Sequence, residues 1–403
     1  MNKTVTALAA LSYAIAASTA QGQEKPIKIG VLNDMSGVYS DYQGVGSVVA
    51  AQMAVEDFGA KIGDRPVQVV SGDHLNKPDV GSAIARQWLD QDNVDLIADV
   101  PNSALALAVA DLVRQRNKVF LGSGAGTAAL TGEKCSPNTV HWTYDTWEAG
   151  HSLAQAVQAR GGTKWFLLVA DYVFGHDLAS STTDAVRQAG GQVLGEARHP
   201  FGTSDFSSFL LQAQSSGATV LGLENAGGDT TTALKQAAEF GLSSSMTFAG
   251  PVINVNMVQA LGLPSAQGLL IATPFYWDMN DGTRAFAKRF AERHPRHNMP
   301  NDMQAGVYSG VLAYLNAVAK VGGNAEDGRA VVEAMRQASP IRDPVYGETT
   351  IRVDGRALHP VYVFQTKTPA ESHGSWDFFQ FVSTIPPDQA YRPLSEGHCP
   401  LVQ

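Results

Sequence analysis

The segment Ser123-Gly124-Ala125-Gly126-Thr127 follows a short apolar run and precedes a small-residue turn. Backbone N–H groups in such a turn can converge on an anion. The segment lacks the lysine and the spacing of a phosphate-binding P-loop and does not match the dinucleotide fingerprint. A tight turn without a ligand explains it equally well. Pro101-Asn102-Ser103 has the same placement. Ser103 is expected at a helix N-cap, where exposed N–H groups favour a carboxylate, and an ordinary cap is the alternative. Chemistry beyond binding has thin support. No Gly-x-Ser-x-Gly elbow occurs, and His294 and His297 have no acidic partner at metal-ligand spacing, so they read as a solvated helix end. His176-Asp177 opens an expected helix, where an aspartate is favoured electrostatically without any functional role. No cofactor and no metal are expected, and the chain does not read as an enzyme. Trp142, Tyr144, Trp147, Tyr172, Phe174, Tyr276 and Trp277 can line a cleft or fill a core, and each taken singly reads as core.

The elements that position these segments alternate. Ile27 to Leu32 reads as a strand, and Val45, Val48, Val49, Met53 and Val55 recur at helical spacing after it. The unit repeats through strands at Val67 to Val70, Val94 to Val100 and Val119 to Ser123, with helices at Val80 to Leu89 and Ala104 to Arg114 between them. A second cycle begins with a helix ending at Ala159, the strand Trp165 to Ala170 and a helix from Gly175 to Gln188, which Gly190-Gly191 terminates. It continues through Val193 to Ala197, Phe206 to Gln214, Thr219 to Leu223, Thr230 to Phe240 and Met246 to Ala249. Helical spacing returns at Ala285 to His294 and Ala305 to Lys320, and strand-like runs follow at Thr349 to Val353, Val361 to Gln365 and Phe378 to Val382. The rhythm predicts an α/β fold of two doubly wound, Rossmann-like lobes with parallel sheets. Ligands of open α/β sheets bind outside the carboxyl ends of the strands. That rule selects Ser36 to Tyr42, Pro101 to Ala104, Ser123 to Thr127, Asp171 to Phe174, Glu224 to Gly228 and Gly250 to Asn254. Their Gly, Ser, Thr, Asn and Tyr content suits a polar cleft with aromatic walls.

The chain has 403 residues and a formal charge of −9. An acidic excess argues against nucleic acid or an anionic membrane surface as partner. Lys3, the apolar run Val5 to Ala17 and the small residues ending at Ala20 have the layout of a secretory signal peptide, expected at residues 1–20. Export to an oxidising compartment makes Cys135 and Cys399 easier to read as one disulfide than as a metal pair or redox site, with two unpaired thiols as the alternative. The length after the leader exceeds that at which single cores divide, so two domains are expected.

Ile27-Lys28-Ile29-Gly30-Val31-Leu32 leading to Ser36-Gly37 and Tyr42, with Ala50-Ala51-Gln52-Met53-Ala54-Val55-Glu56-Asp57 behind it, resembles the N-terminus of type I periplasmic binding proteins of the branched-chain amino acid uptake class. Asp171-Tyr172-Val173-Phe174-Gly175 and Leu234-Lys235-Gln236-Ala237 are similar to its second lobe. The resemblance implies two lobes joined by a three-segment hinge, enclosing a ligand for an ATP-driven membrane permease. The expected division is 26–145 plus 276–352 for the first lobe, 146–275 plus 353–384 for the second, and a tail at 385–403 tied back to the first. The family's carboxylate site corresponds to Ser103, Ala125 and Thr127, and its aromatic walls to Tyr42 and Phe174. The positions that hold acidic partners of a ligand ammonium correspond to Thr146 and Val252. A buried ammonium there would go uncompensated, so the expected ligand is a small organic acid without an ammonium. The Trp142 to Trp147 cluster and the loop with Tyr172 further resemble members that take aromatic acids. Asp145 and Asn225 are candidates to orient a ring hydroxyl, a hinge role for Asp145 being equally open, and Met303 and Gln304 are placed near the pocket floor. A monomeric binding component of an importer in the periplasm is the leading reading. A sensor of the same fold, or a binder of branched-chain amino acids or amides, is the alternative.

Overall fold

The structure is a computed structural model that describes residues 25–343 and 345–402. The signal peptide expected at residues 1–20 lies outside them. Two sheets organise the chain. The first has Ile27–Asn33 near its centre, paired in parallel with Arg65–Asp73 on one side and Leu96–Asp99 on the other. Val119–Gly122 and Thr139–His141 extend it in parallel. The second sheet is parallel through Gln192–His199, Lys164–Ala170, Val220–Glu224, Thr247–Ala249 and Leu270–Thr273. It then ends in two antiparallel strands, Val361–Thr366 and Phe379–Ile385. A small antiparallel sheet of Ile341–Asp343, Gly347–Ile351 and Ala357–Leu358 lies in sequence between the Leu270–Thr273 and Val361–Thr366 strands of the second sheet.

The inner parallel strands are buried along nearly their whole length, as expected where helices cover both faces, whereas Arg65–Asp73 and Gln192–His199 towards the sheet edges are largely exposed or half-buried. Residue size sets the helix spacing. The Trp88 indole of the helix Pro78–Asp90 lies flat on Gly30, where an added Cβ would meet the ring at 2.5 Å. On the other face, Val307, Val311, Leu315 and Val318 of the helix Asp302–Lys320 enter the core with Met53 and Ala54 of Gly44–Phe58. The chain leaves the first sheet after His141, returns to the first core after Thr273, and re-enters the second sheet at Val361.

The sequence pattern located the long elements to within a few residues, including Val173–Gln188 and Asp302–Lys320. It passed over Val255–Leu261, Gly328–Gln337 and the strand Leu270–Thr273, although Asn254 and Gly262 bound the first and Asp327 caps the second. Cys135 and Cys399 form a disulfide, with 5.6 Å between their Cα atoms. Arg352 and Arg392 add to the anchoring of the tail: the Arg352 guanidinium donates to the Arg392 carbonyl at 2.8 Å and that of Arg392 to the Ala128 carbonyl at 2.8 Å.

Candidate functional site

The carboxyl ends of the two sheets face one another, and a narrow cavity lies between them. Its walls come from the segments that follow the strands. Tyr39, Tyr42 and Gln43 follow Ile27–Asn33, Pro101 follows Leu96–Asp99, Gly124 follows Val119–Gly122, and Tyr144 follows Thr139–His141. Phe174 and Ala226 come from the second sheet, and Met303 from the helix Asp302–Lys320. No charged side chain is on the wall. The backbone reaches it through a strained turn, in which Asp99 and Val100 take φ of +84° and +58°, values that non-glycine residues adopt uncommonly. This turn aims Pro101 at the cavity and leaves the Asp99 carbonyl to accept the Gly124 N–H at 3.2 Å.

Of the residues expected from the sequence, Tyr42, Phe174 and Met303 are on the wall. Ser103 and Ala125 are fully buried beside wall residues Pro101 and Gly124. The expected cap needs a correction. Asn102 is the N-cap, its Oδ1 accepting from the Leu105 N–H at 3.0 Å, while Ser103 opens the helix Ser103–Gln115. Asn102 holds the cap because its extended backbone lets a short side chain reach back to the first turn. The Ser103 Oγ is left buried without a partner.

Thr127 donates its hydroxyl to Asp177 Oδ2 at 2.7 Å and accepts from the Ala129 N–H. Asp177 belongs to the helix Val173–Gln188 of the second lobe, so this bond spans the cleft. Thr146 holds the same loop, its N–H donating to the Gly126 carbonyl at 2.7 Å and its Oγ1 accepting from Ala128. Asp145 caps the helix Thr146–Gln158 through the Glu148 N–H and pairs with Arg356 Nη1 at 3.1 Å. Burial alone would raise the Asp145 carboxyl, but Arg356 and His141 bring it below the usual carboxylate range. Asn225 is likewise engaged, with His199 at 2.9 Å and with the Thr230 hydroxyl at 2.7 Å. Tyr172 is behind the wall, bonded through its hydroxyl to that of Tyr39. Val252 offers only its carbonyl, which accepts from the Tyr42 hydroxyl. Gln304 completes a capping box with Asn301 at the start of its helix.

Sequence reasoning missed Gln43, one residue beyond the selected Ser36 to Tyr42 segment, whereas Pro101 and Ala226 stand inside selected segments without having been singled out. Tyr39 stands inside the selected Ser36 to Tyr42 segment and could have been singled out as a second aromatic three residues before Tyr42. Its ring meets Tyr42 at 6.1 Å and Phe201 at 5.5 Å, both edge-on. Burial pushes the phenols of Tyr39, Tyr42 and Tyr144 well above their usual range, so they stay neutral donors.

The lobes also grip each other directly. The Gly228 N–H donates to the Val38 carbonyl at 3.3 Å, the Gly227 N–H to the Tyr42 hydroxyl at 3.1 Å, and Asn301 Nδ2 to Asn256 Oδ1 at 2.8 Å. Phe174 lies against Gly126, where a Cβ would meet the ring at 2.8 Å.

This arrangement is similar to that of known proteins along nearly its full length. The chain is 43% identical to a periplasmic binding protein from Burkholderia mallei, covering 94% of this chain and 99% of that one with a TM-score of 0.90. It is 39% identical to a branched chain amino acid ABC transporter periplasmic ligand-binding protein from Burkholderia xenovorans, over 93% of this chain and 99% of that one, with a TM-score of 0.83. It is 28% identical over 351 residues to Leu/Ile/Val-binding protein homolog 6 of Brucella melitensis, covering 85% of this chain and 87% of the relative. The family model described as periplasmic binding protein matches residues 26–373. With two parallel-dominated sheets facing a shared cavity and a family match spanning both, the chain belongs to the periplasmic binding proteins, the non-enzymatic ligand-binding components of ABC importers.

Proposed function

We propose that the protein captures an aromatic monocarboxylate without an ammonium group and hands it to its permease in a closed, two-lobed state in the periplasm. The observation that carries this reading is the wall itself: four aromatic rings, Tyr39, Tyr42, Tyr144 and Phe174, and no charged side chain. A flat ring between aromatic faces gains contact area and favourable edge and face geometry. The N–H groups of Ala125, Gly126 and Thr127 have no acceptor among the described residues. They and the first turn of the helix Ser103–Gln115 supply the dipoles for a carboxylate. An amino acid would bring its ammonium to a wall with no anion, at a large desolvation cost. Structures 19% and 21% identical to this chain, from Rhodopseudomonas palustris, hold benzoate and 4-hydroxybenzoate. At that identity they share the fold, and the cavity walls carry the ligand argument. The lobe boundaries near residues 145, 275 and 352 and a monomeric state are part of the proposal.

A ligand that binds only the folded protein raises its melting temperature in proportion to the logarithm of concentration over Kd. In a thermal-shift panel of benzoates, cinnamates, branched 2-oxo acids, leucine and urea, a benzoate or cinnamate should give the largest rise. Leucine or urea stabilising the protein more than every aromatic acid would reject the proposal.

A further inference from the structure

Gln43 supplies the amide of the cavity wall, and its own partners account for only half of it. Its Nε2 lies 3.4 Å from Met303 Sδ. It also shares one small space with Asp99 Oδ1, because a Cβ on Gly124 would meet Gln43 Nε2 at 2.0 Å and Asp99 Oδ1 at 2.5 Å. The two acceptors on this side, the Met303 sulfur and the nearby carboxyl oxygen, favour the NH2 end of the amide here. Turned over, it would set its oxygen against a carboxyl oxygen. In the observed orientation the Gln43 Oε1 is buried and has no donor among the described residues. A buried acceptor left in this state is costly, and such groups are satisfied by a ligand or an ordered water.

Apart from the Ser103 Oγ and the free N–H groups of residues 125–127, which are donors assigned to the carboxylate, the polar side chains on or near the wall are engaged. The Tyr39 hydroxyl bonds to Tyr172, and the Tyr42 hydroxyl bonds to Val252 and Gly227. Asp145 and Asn225, the residues the sequence offered for a ring substituent, are taken up by Arg356, His199 and Thr230. The donor that Oε1 lacks is an uncharged one. Asp99, the carboxyl behind it, is fully buried and held by Asn33 at 3.0 Å, so it is not presented to a ligand cation.

We propose that Gln43 is a specificity-determining residue whose Oε1 accepts a hydrogen bond from a hydroxyl group that the ligand carries in addition to its carboxylate. The inference rests on the aromatic-acid reading above and narrows it from aromatic acids in general to hydroxylated ones. An unsubstituted ring enters the same aromatic box but leaves the amide oxygen unpaired. Sites built to bond a hydroxyl discriminate against analogues without one for this reason.

The test is calorimetric titration of ligand-free protein with benzoate, 3-hydroxybenzoate and 4-hydroxybenzoate, on wild type, Gln43→Met and Gln43→Asn. Methionine keeps the length of the side chain and removes the acceptor, whereas asparagine keeps the amide and withdraws it. Wild type should bind one hydroxybenzoate about tenfold more tightly than benzoate. Gln43→Met should bring the hydroxybenzoate-to-benzoate affinity ratio to about one, whatever its effect on the absolute affinities, and Gln43→Asn should lose most of the preference. Circular dichroism and the melting temperature check that each variant folds. A preference that survives in Gln43→Met, or a wild type that binds benzoate as tightly as both hydroxybenzoates because a water satisfies the amide, overturns the role of Gln43 while leaving the aromatic-acid reading standing. Failure of the wild type to bind any of the three acids instead overturns that reading, and this inference with it.

Discussion

At the scale of single residues, the burden of the fold falls on carboxyl groups taken out of water. Glu224 closes the strand Val220–Glu224 at the centre of the second sheet, fully buried, with Oε2 accepting from the Thr182 hydroxyl at 3.1 Å and Oε1 without a partner. Burial raises its carboxyl from 4.5 to about 8. Between those values the folded protein holds a proton that the unfolded chain releases, so stability falls as pH rises from about 4.5 towards 8. Gln in its place carries no charge in either state. Glu224→Gln should therefore raise the melting temperature relative to wild type more at pH 8 than at pH 5, and an equal difference at both pH values would refute the assignment. No local pattern in the sequence marks Glu224 as buried. Its setting is made by Thr182, which is 42 residues away in the chain.

At the scale of elements, the turn that leads into the helix Gly228–Glu239 shows how a loop can be built for one conformation. Gly227 takes φ +64° and ψ −135°, a region open essentially to glycine. A Cβ there would meet the Val38 carbonyl of the facing lobe at 2.5 Å, on the same turn whose N–H groups bond Tyr42 and Val38. Gly227→Ala should penalise the closed state and weaken ligand binding roughly tenfold or more, as measured by calorimetry. Unchanged affinity would show that these contacts play no part in capture. The sequence placed this segment at a strand end because strand and helix periods change there. Which glycine bears the strain followed only from the approach of the other lobe.

For the molecule as a whole, the proposed capture works through closure of the lobes. Bonds between protein groups already span the cleft at Thr127 and Asp177, Asn301 and Asn256, and Val38 and Gly228. A ligand touching both lobes adds to the closed state by its differential affinity for it. Solution scattering should show a smaller radius of gyration on adding a tightly bound aromatic acid. Tight binding by calorimetry with no change in scattering would exclude hinge closure as the response. Just past the last strand of the first sheet, Asp145 forms a buried pair with Arg356, whose guanidinium lies 4.5 Å from the centre of the Tyr391 ring. This contact places the C-terminal tail against the crossing segments.

The cysteine count and the export signal pointed to the disulfide; local periodicity and turn chemistry were enough to determine most of the alternation of strands and helices and the loops that meet at the cleft. These are short-range properties, since hydrophobic spacing sets the element and the strand-end rule sets which loops face a ligand. Tertiary packing decided what each side chain in those loops does. Asp145, Asn225 and Thr127 have the chemistry of ligand contacts, yet each is engaged by a residue brought in from distant sequence. Gln43 has no distinguishing neighbours in the chain, and its amide is oriented by Asp99 and Met303, which reach it only in the folded molecule. A hydrogen bond depends on a few tenths of an ångström and on which competitor arrives first, and neither is written in residue order.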